Sequence, residues 1–357
     1  MKEKLKKRIS GKLFFNFFVV ALSVGMITYF CCAPNGGLID ILLIRRSQIS
    51  LWWLSGAVFF QLFNMVIDAF VTKEFISQKY PHYSFIEAVK VVMIGTFFSH
   101  TTPGASGGQP MQIYYLSKRS VDVGFASSAF IQKFLVYQIC GTLYGIFAII
   151  VKYDVFRTLL NDGNFKFYIL FLVVGFGLQF LTTACVLLVS FNTTLTHKIM
   201  NAIIRFIDRF RIFRRFHGKA ETINEQLDIF HDSNVALYKN PLLVAKSYFC
   251  IIIQLGCILI IPYFVYRSLG LSSASPLDII CAQSFVNLSS STVPLPGAAG
   301  AAELGFSAFF NQYFGGTLIT AILLWRLITY YGTIAITAPF SYLSKDREKE
   351  IKNIERS

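Results

Sequence analysis

The sequence predicts an all-α membrane protein with six transmembrane helices plus two re-entrant helical hairpins, arranged as an inverted-topology repeat. Three observations predict it. The composition is too apolar for a soluble domain, apolar stretches recur at spanning length, and a Pro-Gly-Ala-x-Gly break occurs twice.

The chain is 54% hydrophobic and only 15% charged, where a soluble domain carries about 25% charged residues. Its apolar stretches reach the roughly 20 residues that cross a hydrocarbon core. A β-barrel would instead show short strands of alternating polarity. The net charge of +14 raises nucleic acid as a partner. The basic residues gather just outside apolar segments, however, where topology signals sit, so nucleic acid is excluded. The Cys residues form no CxxC pair and the His residues no HExxH, so neither a metal nor a cofactor is expected.

Six spans stand out, at about 13–31, 51–72, 124–151, 167–190, 242–266 and 317–340. The first follows a basic stretch at 2–12, as in a signal peptide. Its length and the lack of an A-x-A site favour an uncleaved helix. Two further apolar segments, 84–118 and 276–312, are interrupted midway by FFSHTTPGASGGQPMQIYYL and STVPLPGAAGAAELGFSAFF. Non-helical backbone at membrane depth survives only where it is buried in protein or lines a wet cavity. Each segment therefore reads as a re-entrant hairpin.

Charge supports this topology. Lys and Arg crowd the N-terminal 12 residues, the loop 191–241 and the tail, and are sparse at 32–50 and 152–166. The positive-inside rule then places both termini and the long loop in the cytoplasm of a multi-pass protein. A bacterial plasma membrane is the expected location.

An offset of 193 residues superposes Pro103, Gly104, Ala105 and Gly107 on Pro296, Gly297, Ala298 and Gly300. Without a gap it also places Gln61 on Gln254, Lys133 on Arg326 and Tyr137 on Tyr330. The single membrane domain, 1–357, then comprises repeat one (about 13–151), repeat two (about 167–340, including the basic loop 191–241) and the tail 341–357. Each half crosses three times, so the second is inserted upside-down. That is a transporter architecture, with its site expected near the midplane.

The candidate site follows from the repeat. Pro103, Gly104, Gly107, Gly108, Pro296, Gly297 and Gly300 form the two tips, where Pro ends one half-helix and Gly frees the backbone. New helices starting near Gly108 and Ala301 would present free N–H groups, a place for an anion. Close helix packing is the other reading of the same residues. Lys133 and Arg326 sit deep in their spans, where a cation faces a cavity or a partner. They would either meet a phosphate or form structural pairs with Glu303, Glu87 or Asp68. Glu303 suits a helix N-terminus through the dipole alone; contact with a cationic headgroup and proton coupling are its alternatives. Gln109 gives the first tip an uncharged polar group. Tyr137 and Tyr330 lie one turn beyond the cations, as packing residues or hydroxyl donors.

The stretch KIMNAIIRFIDRFRIFRRF (198–216) interleaves apolar residues with five Arg. It reads as an amphipathic helix on anionic inner-leaflet lipid, or as a topology anchor.

TPGASGGQP (102–110), PLPGAAGAAE (294–303), Lys133 and WRLITYYG (325–332) resemble the lysylphosphatidylglycerol synthase/flippase membrane-domain family. The best-known member is the bacterial multiple peptide resistance factor. The resemblance covers about 10–340. It implies a domain that moves aminoacylated phosphatidylglycerol between leaflets, while a separate domain makes the lipid. Its motif carries over to Pro103, Gly104, Gly107, Gly108, Pro296, Gly297, Gly300 and Glu303, with Lys133 and Arg326 as the membrane cations. Only the tail 341–357 follows the last span, so no synthase domain is expected. The chain is then expected to move a phosphate-containing lipid, aminoacylated or glycosylated. A membrane subunit of lipid aminoacylation and a small-anion transporter are the alternatives. A homo-oligomer and a separate synthase partner both stay open.

Overall fold

The computed structural model describes residues 49–153, 166–208, 220–290 and 295–341. The expected first span at 13–31, the end of the 198–216 stretch and the tail beyond 341 lie outside the described residues.

All described elements are helical. Five segments are long and apolar enough to cross a membrane: Leu51–Ser77, Val123–Val151, Val173–Phe191, Pro241–Ser268 and Pro296–Ser341. They fall on five of the six expected spans, although the last includes the second tip and is broken further on.

The first half runs α1 (Leu51–Ser77), α2 (Phe85–Thr101), a tip at Pro103–Ala105, α3 (Gly108–Ser117) and α4 (Val123–Val151). Local chemistry sets these bounds. Ser84 Oγ accepts the Glu87 N–H at 3.2 Å and starts α2. Thr102 Oγ1 accepts the Gly107 N–H at 2.8 Å and so caps the turn leading into α3.

The second half repeats this order: α8 (Pro241–Ser268), α9 (Pro276–Ser290), a tip at Pro296–Ala298, α10 (Ala301–Phe314) and α11 (Leu318–Arg326). Asn240 starts α8 by accepting the Leu243 N–H at 3.1 Å, with Pro241 in the first turn, where its missing donor costs nothing. The two tips fall on residues matched by the sequence offset. Both turn through left-handed backbone, with φ of 58° and 55° at Gly104 and Ala105 and 61° and 49° at Gly297 and Ala298. Holding an alanine there costs about 1–2 kcal/mol, so the same strained turn is built twice.

One departure separates the halves. Beyond Arg326 the chain winds as a π-helix, Leu327–Tyr331, before returning to α-helix as far as residue 341. The matched part of α4 is unbroken α-helix.

Between the halves lie α5 (Lys166–Phe191), α6 (Thr193–Asp208) and α7 (Ala220–Tyr238). The expected amphipathic helix begins earlier than its basic residues, at Thr193. A helix at 220–238 was not expected within the loop. It is fastened through buried Asn234, whose side-chain amide donates to Ser190 O at 2.9 Å. Gln132 of α4 in turn donates to Asn234 Oδ1 at 2.9 Å. A Cβ at Gly124 would lie 2.2 Å from Gln226 O, so glycine is what lets α4 meet α7.

Helices α1 and α8 pack along one another at the centre. Trp53 and Phe60 of α1 meet Phe264 of α8 with ring centroids 5.8 and 5.0 Å apart. Phe264 also fills the space beside Gly56, where a Cβ would come within 2.5 Å. Apolar clusters line each half on either side of this pair. The centre therefore holds the polar residues that the two halves share.

Candidate functional site

The two tips lie against one another, and the second also touches α2. Polar contacts link the halves here. Gln61 of α1 donates to Thr333 Oγ1 at 2.8 Å, and Gln254 of α8 donates to Asp68 Oδ1 at 3.0 Å. The matched glutamines thus each reach into the opposite half. Tyr330 Oη donates to His100 O at 3.1 Å, and the two rings stack with centroids 5.6 Å apart. A Cβ on Gly297 would fall 2.1 Å from the Tyr330 ring. Gly297 therefore serves the left-handed turn and the close approach of this ring together.

Lys133 sits beside this junction. Its ammonium lies 2.8 Å from Asp68 Oδ1 and donates to Thr72 Oγ1 at 2.8 Å. Asp68 and Thr72 are one turn apart on α1, so both face the same approaching lysine. The side chains of Lys133 and Asp68 remain 13% and 19% exposed. Two cavities of about 250 Å³ each open on Asp68, and one of them on Lys133 as well. Asp68, Thr96, His100 and Tyr137 line both. One extends past Gln61, Asn64 and Gln254; the other reaches Lys133, Gln109, Gln112 and Ser99. Polar groups of both halves thus converge on one ion pair.

Arg326 is held differently. Its Nε lies 2.7 Å from Glu303 Oε1, and its terminal nitrogen donates to Gly297 O at 3.0 Å. The other Glu303 oxygen accepts the Gly300 N–H at 2.7 Å. One carboxylate thus neutralises the arginine and caps α10. Their side chains are 9% and 12% exposed, and Trp325 and Tyr330 lie beside the guanidinium, 4.9 and 5.5 Å from ring centroid to carbon.

The tips also differ as anion sites. The N-terminus of α10 holds its own anion, Glu303. That of α3 has no acidic residue in its first turn, and the Gly107 N–H is met by a neutral hydroxyl. A Cβ on Gly108 would lie 1.9 Å from Ser99 Oγ and 2.9 Å from Gly95 O, so this start of α3 is pressed onto α2.

Of the residues singled out from the sequence, Lys133, Tyr137 and Gln109 line the cavities. Gly297, Gly300, Glu303, Arg326 and Tyr330 form the second cluster. Pro103, Gly104, Gly107, Gly108 and Pro296 build the turns that position both. The structure also brings in Thr72, Thr96, Ser99, His100 and Gln112, which sequence reasoning missed. The isolated His100, within a long apolar run three residues before Pro103, was the one available signal.

The model of the "Lysylphosphatidylglycerol synthase TM region" family matches residues 18–337. A curated relative, a UPF0104 membrane protein of Archaeoglobus fulgidus, is 23% identical over 275 residues, covering 76% of this chain and 80% of the relative. No solved structure matches. With its spanning helices, this multi-pass membrane protein belongs to the lysylphosphatidylglycerol synthase transmembrane-region family.

Proposed function

We propose that this protein is a lipid flippase or transporter that moves a phosphate-containing lipid, aminoacylated or glycosylated, across the membrane. The observation that carries the proposal is the polar cavity beside the joined tips, with Lys133 in its wall. A buried cation of this kind attracts a lipid phosphate, while the acyl chains stay in the hydrocarbon. The start of α3, which has no acidic residue in its first turn, adds the positive end of its helix dipole. The second tip, already neutralised by Glu303, serves as the fixed wall.

The matched element order supports reading the halves as an inverted repeat of six spans and two re-entrant hairpins. Alternating access then comes from one half rocking against the other about α1 and α8. The charge distribution supports cytoplasmic termini in a bacterial plasma membrane. In that orientation the basic residues of the 198–216 stretch attract anionic lipid to the inner leaflet. Resistance to cationic peptides is the physiological role this reading suggests.

The test is reconstitution in liposomes with fluorescent phosphatidylglycerol, a fluorescent phosphate-free glycolipid, and inorganic phosphate as three separate cargoes. Faster movement of the phosphatidylglycerol than in empty vesicles, slowed at least tenfold by Lys133→Gln, is the expected result. Movement of every lipid at the empty-vesicle rate sinks the proposal. Uptake of inorganic phosphate alone turns it into a small-anion transporter, and lysyl-lipid formation from charged tRNA turns it into a synthase component.

A further inference from the structure

We propose that Asp68 is a proton acceptor coupled to substrate, so that each phosphate-bearing headgroup bound at Lys133 brings one proton into the site. This inference rests on the lipid-transporter reading and deepens it.

An ammonium has three N–H donors and no acceptor. Lys133 Nζ lies 2.8 Å from Asp68 Oδ1 and 2.8 Å from Thr72 Oγ1, with Asp68 O at 3.5 Å. All three partners are on α1. Only the carboxylate and the hydroxyl are short contacts, so a phosphate that takes hold of the ammonium competes with these two. The carboxylate is the partner it replaces, since both are anions competing for the same cation.

Displacement leaves Asp68 with the neutral Gln254 amide at 3.0 Å. An ionised carboxylate without a cation is costly in such a setting and takes up a proton instead. Among the described residues Lys133 is the cation paired with Asp68. The titratable groups facing Asp68 are His100 from α2 and Lys133 and Tyr137 from α4. From α8, Gln254 is uncharged and Lys246 is engaged by Glu74 at 2.7 Å. His100 is held from both halves, with one ring nitrogen 2.9 Å from Thr96 O, a backbone hydrogen bond to Thr329 and its ring stacked on Tyr330.

The exchange balances. One O–H bond forms on the Asp68 carboxyl with a proton drawn from the bulk solution, and no covalent bond to the lipid is made or broken. One negative charge enters with the phosphate and one positive charge with the proton. The site's net charge is unchanged, which is what a low-dielectric cavity favours. The Arg326–Glu303 pair cannot perform the same exchange, because Glu303 is also bound to the Gly300 N–H and Arg326 to Gly297 O.

The experiment is proton uptake by the purified full chain in weakly buffered detergent, titrated with dihexanoyl phosphatidylglycerol while binding is followed by calorimetry. The expected result is about one proton taken up per bound lipid, with affinity rising about tenfold for each pH unit lowered while Asp68 is ionised in the free protein. Asp68→Asn should lose the uptake per bound lipid. Binding with no uptake and a flat pH profile overturns the inference and leaves the transporter reading standing, as does full uptake by Asp68→Asn. The pH profile needs only the wild type, so it decides the matter even if the variant does not fold. No binding at any pH overturns the site reading itself, and this inference with it.

Discussion

Lys133 and Arg326 occupy matched positions in two halves with the same element order, yet their surroundings differ. Lys133 meets a carboxylate from the first helix of its own half and faces a cavity. Arg326 meets one from the second arm of its hairpin and is closed in by Gly297, Trp325 and Tyr330. The matched positions explain the divergence. Residue 261, opposite Asp68, is Ile, and residue 110, opposite Glu303, is Pro. The repeat thus preserves the cation and moves its counter-ion. A counter-ion on a neighbouring helix can part from its cation when the helices shift; one that caps the same tip cannot. In the proposed transport cycle the first half therefore carries the exchangeable pair and the second the fixed one.

The largest expected effect tests this division. Arg326→Met strands Glu303 and the Gly297 carbonyl, and should destabilise the protein by about 3–5 kcal/mol, as loss of one partner from a buried pair does. Lys133→Met should cost clearly less stability but remove more than nine-tenths of lipid movement. Thermal unfolding in detergent beside a liposome assay measures both, and the reverse ranking breaks the comparison.

Next come the glycines. Gly297→Ala forces a methyl into the Tyr330 ring on left-handed backbone and should cost about 2–5 kcal/mol, strain and overpacking together. Gly300→Ala meets nothing within 4 Å but keeps a strained backbone, φ 86° and ψ −56°, so its penalty should be the smaller, about 1–3 kcal/mol. Equal losses for the two would mean that the Tyr330 contact adds nothing.

The smallest effect lies at the rim. Lys79 Nζ lies 2.6 Å from Asp122 and the Tyr80 hydroxyl 2.8 Å, and the Lys79 contact leads in holding this carboxyl below its usual range. Its stabilisation is therefore present above the ordinary aspartate pKa and fades as pH falls through that range. The pair is partly exposed, so Asp122→Asn should only slightly flatten the acid limb of a stability–pH profile, and less in high salt. A large change would show that the rim, rather than the central pairs, governs stability.

Much of this was legible in the sequence because membrane helices announce themselves by length and apolarity, and because Pro-Gly breaks are rare within such runs. The element bounds around both tips follow from those signals, as does the placing of Lys133 beside a cavity. The choice between a phosphate and a structural pair for Lys133 and Arg326 was not legible. It depends on which carboxylate a folded helix brings within 3 Å, and Asp68 lies 65 residues from Lys133. Thr96, Gln112 and His100 were missed because isolated polar residues in an apolar run carry no periodic signal. Helix α7 was missed because its apolar residues are few and its docking depends on Asn234, a residue more often read as a turn former.

The π turn at Leu327–Tyr331 has a consequence for how the two halves diverged. A π turn holds one residue more than an α turn and is tolerated mainly where it re-aims side chains. The sequence match runs through it without a gap, so residues that align in the text point along different bearings in space. Tyr137 is turned into the cavity, whereas Tyr330 is turned onto Gly297 and His100. The two aligned helices thus differ in winding where their sequences match. Removing a single residue from this turn would swing everything after it by about 100°, taking Thr333 away from Gln61 and undoing the bond between the halves in one step.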